Sequence, residues 1–215
     1  MKKIVAINAS PRRTANTAEL VKQAAKAVSD GGGEVKYFDL YALEKFTGCI
    51  SCFACKLPTH KGKCVCKDGL AQVLEEIRTS DGLILGTPNY FGDVTAGFRA
   101  FYERLVFQYL TYQKENVCCN DRKIPVLFIM TSNMPTEMYA QTDYAKMIEK
   151  YKYTLDNFVG ETEVMIYGDT LQVKDYSRFN WTMFDPQMKA DRHEKEFPKA
   201  KEEAYDLGKK LLERG

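Results

Sequence analysis

The chain has 215 residues, 45% of them hydrophobic, and its 31 basic and 29 acidic residues leave a net charge of +2. That length suits one domain, or one domain with an extension, and the apolar content can supply a sizeable core. Balanced charge spread along the chain argues against a nucleic-acid or membrane-surface binder. No apolar run approaches a membrane span. Only Ile4 to Ala9 follow Met1-Lys2-Lys3 before Ser-Pro-Arg-Arg, which is too short for a signal peptide, so a cytoplasmic protein is expected.

Taken in order, Ile4-Val5-Ala6-Ile7 reads as a buried strand. The chain then turns through Asn8-Ala9-Ser10-Pro11 into a polar segment ending at Thr17. A helix starts at once, with Leu20, Val21, Ala24, Ala27 and Val28 at helical spacing, and Gly31-Gly32-Gly33 ends it. Strand, polar loop and helix N-terminus in this order can cradle a phosphate. Backbone N–H groups and the helix dipole favour an anion, short side chains donate to it, and an arginine pairs with it. The loop lacks both the dinucleotide fingerprint and the nucleotide-triphosphate loop. Helix capping by Ser or Thr is the plainer alternative.

Glu34 to Leu40 alternates as a second strand. A cysteine-rich insertion, 47–67, reads as an ordered loop or short helical turns. Asp68 can cap a helix that carries Leu70, Val73, Leu74 and Ile77 on one face. Asp81 to Thr87 is a central strand, and Pro88-Asn89-Tyr90-Phe91-Gly92 lies at its carboxyl end. Tyr90 and Phe91 are poor choices for an exposed turn unless they cover something flat; otherwise they plug the core. Gly97 to about Gln113 should be helical, Ile124 to Met130 a strand ending at Thr131-Ser132-Asn133, and Tyr144 to Phe158 a helix. Thr162 to Tyr167 makes a fifth strand. Asp169 to Phe197, with Tyr176, Phe179, Trp181 and Phe184, shows no period, and Pro198 opens the last helix.

Alternating strands and helices give an α/β fold, and five strands from the N-terminus suit a flavodoxin-like three-layer sandwich with a parallel sheet in order 2-1-3-4-5. Residues 1–170 would form the domain. Residues 171–215 would be an extension and last helix packing on the same domain or on a partner subunit. Ligands of such sheets bind outside the strand carboxyl ends, so the loops after strands 1, 3 and 4 should converge.

Seven cysteines in a cytoplasmic chain point to metal or redox chemistry rather than disulfides. Five of them, Cys49, Cys52, Cys55, Cys64 and Cys66, lie within eighteen residues, while Cys118-Cys119 stands apart. Their density suits a [4Fe–4S] site. Tetrahedral zinc and bare thiols packed as small hydrophobes are the alternatives. No hydrolytic Ser/His/Asp or Cys/His set is evident, and His60 and His193 read as solvated.

At N-A-S-P-R-x-x-x-N-T after strand 1 and G-T-P-N-Y-F-G-D-V-T after strand 3, the chain resembles the NADPH-dependent FMN reductase family. The cysteine segment is similar to that of its iron–sulfur flavoprotein branch. The resemblance covers about residues 2–131. It implies noncovalent FMN, with Ser10, Arg12, Asn16 and Thr17 at the phosphate. Pro88, Asn89, Tyr90, Phe91 and Gly92 would line the isoalloxazine, and Thr131 and Asn133 would bound its far side. It also implies a homodimer or homotetramer. Cys49, Cys52, Cys55 and Cys64 would hold a cluster, although the last gap is longer than in the branch pattern and Cys66 competes as fourth ligand.

Two functions follow from the resemblance. In one, NAD(P)H reduces FMN, which reduces a flavin, quinone or similar small-molecule acceptor. In the other, FMN and a cluster shuttle electrons with ferredoxin-like partners. Flavin binding or redox sensing without turnover is the third reading.

Overall fold

The computed structural model describes residues 1–214. Five parallel strands, β1 (Lys3–Asn8), β2 (Glu34–Asp39), β3 (Gly82–Pro88), β4 (Val126–Thr131) and β5 (Thr162–Tyr167), form one sheet in the order β2-β1-β3-β4-β5. Its residues are apolar on both faces because helices cover both. Along β1, Ile4 and Ala6 point to one side and Val5 and Ile7 to the other, as the two-residue period of a strand requires.

Helices α1 (Asn16–Asp30) and α5 (Pro186–Arg214) cover the Ile4 side. Helices α2 (Leu70–Arg78), α3 (Ala96–Phe107) and α4 (Tyr144–Phe158) cover the other, where Phe98, Phe101, Phe128 and Tyr151 fill the largest core. The expected three-layer sandwich and strand order are therefore found. A Cβ at Gly208 would lie 2.2 Å from the Ala24 carbonyl oxygen, so α5 crosses α1 at backbone contact.

Two expectations about helices need correction. The last helix begins at Pro186, not Pro198, and Pro198 lies inside its 29 residues. The segment 186–197 hides its helical period because its buried positions are Lys189 and Phe197 among charged residues. Its start is nonetheless written in Asp185-Pro186. The Asp185 carboxylate accepts from the N–H groups of Gln187 (2.9 Å) and Met188 (3.1 Å), as a cap followed by Pro does. The other correction is that α3 stops at Phe107 rather than near Gln113. Beyond it the chain doubles back, with Thr111 N–H bonded to Val117 O and Cys119 N–H to Tyr109 O. Among the described residues, no helix is long and apolar enough to cross a membrane.

Candidate functional site

The loop after β1 is fastened before any ligand is considered. The Asn8 side chain accepts from Ser10 N–H at 3.0 Å and donates to Asp39 at 2.7 Å. Ser10 Oγ accepts from Arg12 N–H, and Ala9 is held between Gly86 O and the Thr95 hydroxyl. Arg13 is paired with Asp39 at 3.0 Å, leaving Arg12 as the arginine directed to the cavity described below.

The capping alternative fails. The residue preceding α1 is Ala15, and no side chain caps the helix. The N–H groups of the first turn keep the positive end of the dipole without a side-chain acceptor.

The aromatic loop is equally fixed. Asn89 N–H donates to Thr131 O at 2.7 Å, and Tyr90 and Asp93 exchange backbone bonds. Asp93 also accepts from the Tyr151 hydroxyl at 2.7 Å. This turn holds Phe91 at φ +54° and Gly92 at φ +81°. A bulky residue in the left-handed region costs roughly 1–3 kcal/mol and persists only where its surroundings impose it. Phe91 is fully exposed and Tyr90 is 43% exposed. They do not plug the core.

The loops after β1, β3 and β4 meet at one cavity of about 1350 Å³. Of the residues expected there, Arg12, Pro88, Asn89, Tyr90, Phe91, Thr131 and Asn133 line it. Ser10, Asn16 and Thr17 are buried and do not line it, and Gly92 closes the aromatic turn by donating its N–H to Asn89 Oδ1. Thr17 and Thr131 share a buried hydrogen bond of 2.7 Å, and Asn16 donates to Leu171 O at 2.9 Å. These contacts make Asn16 and Thr17 braces that join the first loop to its neighbours.

In the cavity wall, Asn89 Nδ2 is buried and has no hydrogen-bond partner among the described residues. Asn89 Oδ1 is already committed to Gly92 N–H, which fixes the amide and leaves its NH2 unspent. Behind that wall, burial pushes the Tyr139 phenol up, opposed by the Ser132 and Asn89 side chains at its hydroxyl.

The opposite wall comes from the segment 169–197 that shows no period in the sequence, including Gln172, Phe184, Lys189 and Arg192. Arg12 donates to Gln172 O, drawing this wall onto the β1 loop. Lys189 is buried, where it donates to Asn133 Oδ1 at 2.8 Å and pairs with Asp169. Phe179 and Trp181 stack at 4.4 Å in the same segment. His60 is exposed as expected. His193 is not fully solvated: it stacks on Phe197 at 4.5 Å, and burial lowers its pKa.

The cysteines form a separate place. All seven are unpaired. Cys49, Cys52, Cys55, Cys64 and Cys66 line one cavity of about 20 Å³ at the carboxyl end of α3, whose other walls include Phe53, Arg104, Phe107 and Gln108. Short turns at Ala54–Lys56 and Pro58–His60 shape the insertion. Burial pushes the Cys55 and Cys66 thiols up. Among the described residues, no group of three or more His, Cys, Asp or Glu side chains is set to hold a single metal ion. Cys118 and Cys119 lie outside this wall, with Cys118 3.4 Å from Lys123 Nζ.

Helix α3 has twelve residues, so the aromatic loop at its start and the cysteine cavity at its end are separated by about 18 Å of helix.

Comparison with known proteins bears on both places. An iron–sulfur flavoprotein of Methanocaldococcus jannaschii is 36% identical over 102 residues, covering 47% of this chain and 51% of the relative. One from Archaeoglobus fulgidus is 35% identical over 104 residues, covering 47% and 48%. The alignments thus span about half the length of these relatives. Among solved structures, an NAD(P)H:quinone oxidoreductase from Methanothermobacter marburgensis has TM-score 0.68 at 15% identity, covering 98% of this chain and 96% of that one. An azoreductase from Bacillus anthracis has TM-score 0.69 at 14% identity, covering 98% and 100%. At such identities these two structures establish the shared fold. The family model for NADPH-dependent FMN reductases matches residues 2–140, and the chain belongs to that family.

Proposed function

We propose that the protein is an FMN-dependent oxidoreductase that takes reducing equivalents from NAD(P)H and delivers them to a flavin, quinone or similar small acceptor. The observation that carries this reading is the single cavity where three strand-end loops meet, with Arg12 on one side and the Tyr90–Phe91 turn on the other. The residues fit FMN. An uncapped helix N-terminus beside Arg12 suits a monophosphate dianion. Exposed Tyr90 and Phe91 faces suit a flat ring, and the Asn89 amide in the wall suits its polar edge. The volume of about 1350 Å³ exceeds an ordinary single-ligand pocket, leaving room for a second reactant.

Bound FMN would supply hydride acceptance and return. The chain itself positions and shields. Arg12 and the backbone N–H groups of the first turn of α1 hold the phosphate, while the side chains of Ser10, Asn16 and Thr17 brace that loop. Pro88 to Gly92 present a rigid platform, and Thr131 and Asn133 close the far side. The wall from Asp169 to Glu196 limits water. No side chain is needed as an acid or base for hydride transfer. The nicotinamide enters and leaves by the same opening as the acceptor, which accounts for the missing dinucleotide fingerprint.

The test is NADH and NADPH oxidation by FMN-loaded protein with menadione or free FMN as acceptor. Turnover with at least one nucleotide is expected. Tight FMN binding without turnover on either nucleotide would sink the enzyme reading, and failure to bind FMN would sink the site.

The gathering of five cysteines on one wall favours a second role in the same protein: a [4Fe–4S] cluster held by Cys49, Cys52, Cys55 and Cys64 or Cys66, exchanging single electrons with FMN and a ferredoxin-like partner. The length of α3 between the two places suits exchange between subunits of a homodimer or homotetramer better than exchange within one chain. Exposed Ile50, Phe53, Leu57 and Tyr112 around the cysteines suit such an interface. Iron and acid-labile sulfide in anaerobically purified protein, with size-exclusion mass, test this role.

A further inference from the structure

Two polar residues stand where the apolar face of α3 should continue, Arg104 in its last turn and Gln108 just past its end. Arg104 and Gln108 are four apart, so they share one face of the helix end. Each is only 2% exposed, and both stand in the wall of the cysteine cavity.

Their outer ends are committed to the insertion. Gln108 Oε1 accepts from Cys64 N–H at 3.1 Å. The Arg104 Nη1 group bonds both Asp68 oxygens, at 2.7 and 2.6 Å, and Nη2 donates to Cys66 O at 3.3 Å. The guanidinium also lies against the Cys64 thiol. One helix face therefore grips the backbone at both candidate fourth ligands.

Each residue has a donor left over. Gln108 Nε2 and Arg104 Nε are buried and have no partner among the described residues. The Gln108 amide cannot be turned to cure this, because its oxygen faces the Cys64 N–H. A buried donor without an acceptor is costly, and native proteins keep few of them. Two in one thiol-lined wall ask for an acceptor group inside that wall. Bonds from N–H groups to cluster sulfurs favour the reduced, more negative state and raise the potential.

We infer that Gln108 and Arg104 are positioning residues that donate N–H groups to the sulfurs of a cluster in the cysteine cavity and raise its reduction potential. This rests on the cluster reading above. Gln108→Glu is the sharpest variant. It keeps the oxygen that holds Cys64 N–H, and it replaces the free donor with an acceptor.

The experiment reconstitutes wild-type and variant protein anaerobically with ferrous iron and sulfide. Iron and sulfide are counted, and the cluster potential is read by a redox titration followed by electron paramagnetic resonance. Gln108→Glu should hold as much iron and sulfide as wild type. Its cluster should be about tenfold harder to reduce, a fall of about 59 mV for one electron. Gln108→Met, which removes the donor without adding charge, should shift the potential the same way by less, and it carries the test if the Glu variant does not fold. Full iron content with an unchanged potential in the variants overturns the inference and leaves the cluster reading intact. Wild-type protein that takes up neither iron nor sulfide overturns the cluster reading itself.

Discussion

Replacing Arg12 by Ala should weaken FMN binding while leaving the fold intact. The side chain is exposed, and its one hydrogen bond goes to Gln172 O at the rim of the cavity, so little core packing depends on it. A charge-assisted bond to phosphate contributes roughly 1.5–3 kcal/mol when shielded, and solvent screening at an exposed arginine lowers that to about 1–2 kcal/mol. The expected loss is then about 5- to 30-fold in Kd. Quenching of flavin fluorescence gives Kd directly, and riboflavin supplies the comparison because it has the same ring without the phosphate. Wild type should prefer FMN over riboflavin, and Arg12→Ala should narrow that preference. Added salt should weaken FMN binding more in wild type than in the variant. An unchanged FMN Kd would refute the placement of the phosphate. Equal losses for FMN and riboflavin would show that Arg12 supports the cavity instead of the phosphate.

The aromatic platform separates binding from stability. Phe91 is fully exposed, so Phe91→Ala should change the unfolding free energy by no more than about 0.5 kcal/mol while reducing flavin affinity. A large drop in the urea midpoint would contradict a ligand-facing role. Gly208→Ala should destabilise by about 1–3 kcal/mol, because the new Cβ meets the Ala24 backbone oxygen, which cannot swing aside. An unchanged thermal midpoint would mean that α1 and α5 cross less tightly than described. Burial holds His193 below its ordinary pKa of 6.5, so the unfolded chain takes up its proton first. Stability should be retained above that value and be lost as the pH falls through the lowered folded pKa. His193→Phe can retain an aromatic stack on Phe197, and its unfolding midpoint should fall less steeply on acidification. Parallel slopes for the two proteins would refute this.

Much of the fold was legible because it follows from local rules. The short apolar runs, the Gly31-Gly32-Gly33 stop and the helical spacing of α1, α2 and α4 need no knowledge of neighbours. The same holds for Ser10–Thr17 and Pro88–Gly92, whose residue types are odd for plain turns. What the local signals could not say was how each loop is used. Thr17 read as a phosphate donor, but in the fold its hydroxyl meets Thr131, a residue more than a hundred positions away. Asn16 was drawn in the same manner to Leu171.

The segment 186–197 shows no helical period because its inward positions include a lysine, whose charge is paired with Asp169 and whose ammonium also donates to Asn133. By residue type a lysine faces solvent, and only the tertiary arrangement supplies the partners that allow it to be buried. Arg104 and Gln108 are the same case at the end of α3. As sequence they are two polar residues closing an amphipathic helix. They become buried wall residues because the cysteine insertion folds over them and brings Asp68, Cys64 and Cys66 to their outer ends. The sequence by itself determined the layers, the strand order and the kinds of chemistry on offer, since these depend on periodicity and residue type. The tertiary structure decided which polar groups are satisfied by the protein and which are left for something else, since that depends on contacts between segments far apart in the chain.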